Sequence, residues 1–194
     1  MIHRPRAIEQ TPGRLIHLLD IAAHFVRRCR LFFHRCGDLR ERVRNDLYGA
    51  GNLPQTLTKA GDHILITDNT YGPTRTFLDK IHSQFGVEVE YFDPLEGAGI
   101  SARIQDNTSL IWLESPGSQT FEMTDVPAIV SVAKDKGITT AIDNTWAAGY
   151  FYKPLDHGVD VSVQAATKYI VGHSDAMLGT ITCADTVHAK VRKT

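Results

Sequence analysis

Residues 110–143 read LIWLESPGSQTFEMTDVPAIVSVAKDKGITTAID, and the fold class follows from them. Leu110–Glu114 (LIWLE) is a short apolar run of strand length, broken by the polar, turn-forming Ser115-Pro116-Gly117-Ser118. Asp125 offers a side-chain oxygen to the free amides at the start of a helix over Asp125–Lys136, and Gly137 stops it. Ile138–Asp143 (ITTAID) is rich in β-branched residues and reads as the next strand. The same alternation extends in both directions. His63–Thr67 (HILIT), Val87–Phe92 (VEVEYF, valines alternating with glutamates), Val159–Ala165 (VDVSVQA) and Leu178–Cys183 (LGTITC) read as strands, and Gly72–Phe85 as a helix. Strand and helix in regular succession predict an α/β architecture, three layers deep, around a mostly parallel sheet.

The chain has 194 residues, of which 42% are apolar, enough for one domain with a real core and too many apolar residues for a disordered chain. The nearest approach to a membrane span, Leu15–Val26, carries His17, Asp20 and His24 and falls short of the roughly 20 apolar residues a bilayer requires. A soluble protein is expected. Cys29, Cys36 and Cys183 are too few for a disulfide framework, and no secretory pattern opens the chain, so the cytoplasm is the expected compartment.

The net charge of −1 hides a seam. Residues 1–58 hold ten arginines against five acids and have neither lysine nor serine; residues 59–194 hold eleven basic residues against seventeen acids. Two units are expected: an atypical Arg/His-rich segment over 1–58 and an ordered α/β unit over 59–194. Three readings of the first segment stand. A transit peptide would explain the arginines but not the lack of serine. Arg27, Arg28, Arg30, Arg35, Arg40, Arg42 and Arg44 would supply a nucleic-acid patch, without any zinc-finger or helix-turn-helix pattern beside them. Out-of-frame translation of a GC-rich gene would give the excess of arginine, histidine and cysteine, and it is the preferred reading. Cys29 and Cys36 with His24 and His34 lack the usual C-x2–4-C spacing, so no metal site is expected.

In a parallel sheet, ligands collect where the strands end at their carboxyl termini. HILIT runs into Asp68-Asn69-Thr70-Tyr71, LIWLE into Ser115–Ser118, ITTAID ends on Asp143, and VDVSVQA leads to Ala166-Thr167-Lys168. Taken singly, each has an ordinary explanation: a surface lysine, a loop-capping aspartate, a packing tyrosine, and Trp146 as core filling. Together they gather a tyrosine, a carboxylate, hydroxyls and one amine. Lys168 lies in AATKYIVGHSDA, small and apolar enough that its amine is expected to be desolvated and nucleophilic. An amine for an imine, an acid for a ring nitrogen, an aromatic face and a hydroxyl for a phosphate are what pyridoxal phosphate demands.

The segments LESPGSQTFEMTDVPAIV (113–130), AIDNTWAAGY (141–150) and QAATKYIVGHSDAMLGT (164–180) resemble the pyridoxal-phosphate enzymes of cysteine and methionine metabolism, and most closely their cystathionine β-lyase branch. The likeness runs from about Lys59 to Cys183. It implies the fold type I large domain, aspartate-aminotransferase-like and here incomplete, with pyridoxal 5'-phosphate as cofactor. By the same resemblance Lys168 is the lysine bonded to the cofactor and then the base at the substrate α-carbon, with Tyr71 assisting. Asp143 partners the pyridine nitrogen, Tyr71 stacks on the ring, Thr167 binds the phosphate, and Ser118 takes the place of an asparagine near the phenolic oxygen. Relatives often carry serine where this chain has Ala165, and ESPTNP where it has Glu114–Gln119; both departures are compatible with the β-lyase branch. The implied reaction is β-elimination of cystathionine to homocysteine, pyruvate and ammonia, with cystathionine γ-synthase, methionine γ-lyase or a truncated, non-catalytic product as alternatives. The family's phosphate-binding turn, N-terminal arm and C-terminal domain with its substrate-binding arginine are not recognisable here. A homo-oligomer assembled from dimers is implied, with a small amino acid as substrate and neither nucleic acid nor membrane as partner.

Overall fold

The computed structural model describes residues 44–45 and 49–192, with side chains from residue 53 onward. The candidate zinc ligands and the arginines numbered up to 42 lie outside these residues. Seven strands form one sheet: β1 (Arg44–Asn45), β2 (His63–Thr67), β3 (Glu88–Phe92), β4 (Thr108–Glu114), β5 (Thr139–Asp143), β6 (Val161–Gln164) and β7 (Thr180–Cys183). Their spatial order is β1-β7-β6-β5-β4-β2-β3. Strands β2 to β6 pair parallel, whereas β7 is antiparallel to both β6 and β1. The mostly parallel α/β sheet expected from the sequence is therefore present, with an antiparallel edge.

Among the described residues four helices cover the sheet: α1 (Gly49–Leu57), α2 (Gly72–Lys80), α3 (Val126–Asp135) and α4 (Asp185–Val191). The central strands are apolar runs because both of their faces are covered. On one face Ile64, Ile66, Leu110, Trp112, Ala141, Val161 and Val163 pack with Leu53 and Leu57 of α1, Leu78 of α2, and Val187 and Val191 of α4. On the other, Leu65, Ile111, Leu113 and Ile142 meet Val126, Ile129, Val130 and Ala133 of α3. Strict alternation along β2, β4 and β5 divides the two cores.

Local signals set most boundaries. Asp125 caps α3, its Oδ1 accepting the Ala128 N–H at 3.1 Å, and Gly137 at φ +69° ends the following turn. Two expected element bounds are corrected. The helix expected over Gly72–Phe85 stops at Lys80, and His82–Phe85 is a separate 3-10 turn. The cause is tertiary: His82 is buried and its Nε2 pairs with Thr58 Oγ1 at 2.9 Å, which pulls the chain off the helical path. Strand β6 is shorter than Val159–Ala165, because the Asp160 carboxylate accepts the Thr140 N–H at 2.8 Å instead of continuing the ladder. The change in charge near Leu57 falls within α1, whose Leu53 and Leu57 are core residues. Among the described residues, no helix is long and apolar enough to cross a membrane.

Candidate active site

From β2 the chain crosses outward to β3, then returns to place β4 on the opposite side of β2. The switch between β2 and β4 opens a crevice at their carboxyl ends, where an α/β sheet characteristically binds ligands. Tyr71 stands at the β2 side of this crevice and Ser118 at the β4 side. One buried residue, Glu114, joins them. Its Oε2 accepts the Tyr71 N–H at 2.7 Å and its Oε1 accepts the Ser118 hydroxyl at 2.6 Å. Ser118 N–H also donates to the Asn69 carbonyl at 2.9 Å. Gly117 permits this approach, because a Cβ there would collide with the Asn69 side chain.

Asp143 closes β5 in register with Glu114, so the two acids lie side by side on the same face of the sheet. Burial pushes the Asp143 carboxyl up, against the opposing effect of two hydrogen bonds from Thr145. Burial, and then the neighbouring charge of Asp143, push Glu114 to about 7. Both hydrogen bonds to Asp143 fall on Oδ1: Thr145 N–H at 3.0 Å and Thr145 hydroxyl at 2.6 Å. The Thr145 hydroxyl in turn accepts the Ala165 N–H at 2.8 Å, which ties the acid to the segment leading into Lys168.

The ends of β2, β4, β5 and β6 thus converge as the sequence suggests, but the individual residues differ in their surroundings. Lys168 is exposed, not desolvated: β6 ends at Gln164 and the lysine sits in a surface loop whose Tyr169 and Ile170 are also exposed. Apolar composition there does not mean burial, because this loop leaves the sheet. The Thr167 hydroxyl accepts the Leu178 N–H at 2.8 Å and faces the Leu178 carbonyl at 3.2 Å, so it is engaged by the chain itself. Tyr71 is 51% exposed, leaving a ring face open. Trp146 does not fill the core; it is 43% exposed and packs edge-on to Phe121 at 5.2 Å and beside Tyr169 at 6.3 Å. Sequence reasoning missed Glu114 and Thr145 as organising residues. An acid ending an otherwise apolar strand was the available signal for the first.

Beside the crevice is a groove of about 380 Å³ lined by Ser115, Pro116, Met123, Thr124, Trp146 and Phe151, among others, but not by Lys168, Asp143 or Tyr71. Phe121, Met123, Tyr150 and Phe151 are exposed on the loops around it. Three of the four described non-glycine residues with left-handed backbone, Gln119, Phe121 and Ala148, lie on these loops, as strained residues often do near functional sites.

A pyridoxal cofactor requires a free amine, an aromatic face and a buried carboxylate with an unused oxygen toward a ring cation. Lys168 and Tyr71 are accessible, and Asp143 Oδ2 receives no hydrogen bond from the described residues. A half-buried acid with one oxygen left without a protein donor and no cation beside it among the described residues is suited to a cationic ligand. The residues present fit the group.

Residues 49–194 match the family model described as Cys/Met metabolism PLP-dependent enzyme. The cystathionine beta-lyase of Escherichia coli is 54% identical over 125 residues, 63% of this chain and 32% of that protein. The L-alanine/L-glutamate racemase of Wolbachia pipientis is 48% identical over 126 residues, 65% of this chain and 31% of its own length. The crystal structure of cystathionine gamma-lyase from Lactobacillus plantarum, in complex with L-serine, superimposes with a TM-score of 0.74 at 31% identity, over 78% of this chain and 40% of that one. The chain spans about a third of the length of the curated relatives it matches. The continuous match from Gly49 and the shared fold agree with one another: the chain belongs to the pyridoxal-phosphate-dependent enzymes of cysteine and methionine metabolism.

Proposed function

We propose that this chain is part of the cofactor-binding large domain of a carbon–sulfur lyase that converts cystathionine and water to homocysteine, pyruvate and ammonia. The observation that supports it is the hydrogen-bonded line from Asp143 through Thr145 to Ala165, which brings an acid with a free oxygen and the backbone approaching Lys168 to the carboxyl end of neighbouring strands β5 and β6. Bound pyridoxal phosphate supplies the electron sink for the charge left at the substrate α-carbon. Asp143 would hold the proton of the ring nitrogen, and the Tyr71 ring would offer an aromatic face to the cofactor. Lys168 Nζ takes the α-proton, with the Tyr71 hydroxyl assisting. Ser118 and Thr167 offer hydroxyls to the phenolic oxygen and the phosphate.

The exposed aromatic side chains around the site support a homo-oligomer, in which further protein covers them. Desolvation of Lys168 would come from the same source. A γ-cleaving activity is the second reading, favoured by the fold match to a γ-lyase.

The full chain is incubated with pyridoxal phosphate, reduced with borohydride and mapped by mass spectrometry. Reduction fixes the cofactor on Lys168 and on no other lysine, and Lys168→Arg abolishes the adduct. An adduct that survives this substitution refutes the assignment. Cystathionine then yields pyruvate with homocysteine; 2-oxobutyrate with cysteine would establish the γ-cleaving reading instead, and no keto acid despite the Lys168 adduct would identify a chain that binds without catalysing.

A further inference from the structure

We propose that Glu114 is a positioning residue of the cofactor site, whose carboxyl ties the Tyr71 turn to the Ser118 loop and whose charge is governed by what Asp143 holds. The inference rests on the cofactor reading above and adds to it a residue that the sequence pattern did not single out.

Glu114 is 4% exposed, yet both of its oxygens reach across the β2–β4 switch, to Tyr71 N–H and to the Ser118 hydroxyl. Its own N–H donates to Thr67 Oγ1 at 3.1 Å, so backbone and side chain alike fasten β4 to the end of β2. An amide would serve as a purely structural link, accepting from Tyr71 and donating to Ser118, without the cost of burying a second acid beside Asp143. The carboxyl therefore points to a use for its charge.

The groups facing Glu114 are few. Asp143 acts on it from β5, and Tyr71 and Ser118 reach it as hydrogen-bond donors. Asp68, in the β2 loop, is paired with Arg75 at 2.6 Å, and Glu122 lies farther along the Ser118 loop. With Asp143 ionised and nothing cationic beside it, Glu114 is driven toward its neutral form. A ring cation at Asp143 cancels that repulsion and Glu114 ionises. Its bonds to Tyr71 and Ser118 then become charge-assisted and stronger. Cofactor arrival thus tightens the two elements that flank it, and reciprocally an ionised Glu114 favours the cation.

The test follows the Tyr71 amide resonance of the full chain by NMR from about pH 5 to about pH 9, across the range where a displaced carboxyl titrates. Without cofactor, the resonance moves with a midpoint near 7, and in Glu114→Gln that movement is gone while the dispersed spectrum shows the fold retained. With pyridoxal phosphate attached, the wild-type midpoint falls by about one unit or more, a ten-fold change in proton affinity. An amide that is silent in the cofactor-free wild type overturns the proposal. So does a midpoint unchanged by attached cofactor, which leaves no coupling to Asp143. Failure of the cofactor to attach to Lys168 refutes the proposed function instead, and the cofactor-free titration still decides whether Glu114 governs Tyr71.

Discussion

Thr145 donates twice to one oxygen of Asp143, through its hydroxyl at 2.6 Å and its backbone N–H at 3.0 Å. The acid is thereby turned so that Oδ2 is left for a ligand. Because the same hydroxyl accepts from Ala165 N–H, Thr145 also connects the end of β5 with the chain entering the Lys168 loop.

Thr145→Val keeps the shape and removes both hydroxyl bonds. It leaves the Ala165 N–H without its acceptor and is expected to cost about 1–3 kcal/mol in urea unfolding. Cofactor affinity, followed by absorbance titration, falls several-fold as Asp143 loses its orientation, while Thr145→Ser retains most of it. Equal affinity in the valine variant and the wild type would show that this bridge does not orient the acid.

Stability of the cofactor-free chain should fall as pH rises. Both Glu114 and Asp143 have carboxyl pKa values raised by folding, so between about pH 4, the unfolded value, and about 7 for Glu114 the folded state binds more protons than the unfolded. The stability slope is then negative and levels off once Glu114 has ionised. For Glu114 the change is on the order of 3 kcal/mol. Urea midpoints taken at pH 5 and pH 8 measure it, and Glu114→Gln should flatten the profile by that amount and be the more stable protein at pH 8. A wild-type midpoint that rises with pH contradicts the assignment.

Gly117→Ala places a methyl group against the Asn69 side chain. Relief requires the Ser118 loop to move away from the Asn69 turn, stretching Ser118 N–H from the Asn69 carbonyl. A loss of about 1–3 kcal/mol is expected, as for other overpacked positions. The double variant Gly117→Ala, Asn69→Gly should recover part of it; additive losses would place the strain elsewhere.

Leu53→Ala tests whether α1 belongs to the core. Leu53 is 2% exposed and packs in the same cluster as Ile64, Trp112 and Val161. Truncation should lower unfolding free energy by about 2–5 kcal/mol. A negligible change would detach α1 from the sheet and return the boundary of the folded unit to the charge seam near Leu57.

The alternation of β-branched runs with capped amphipathic segments determined the α/β class from the sequence alone. Asp125, Gly137 and the apolar strands act within a few residues of themselves, so their effects are legible without the rest of the chain. The resemblance of residues 113–130, 141–150 and 164–180 to a known family carried the cofactor with it. The change in charge composition near Leu57 carries no record of the burial of α1, which residues far along the chain decide. What only the tertiary structure decided were the exposure of Lys168, the capture of the Thr167 hydroxyl by Leu178 and the bridge of Glu114 between Tyr71 and Ser118. Each depends on which distant groups share a neighbourhood, and local pattern records how a segment prefers to fold but not which water-excluding partners or opposing charges the folded sheet sets beside it.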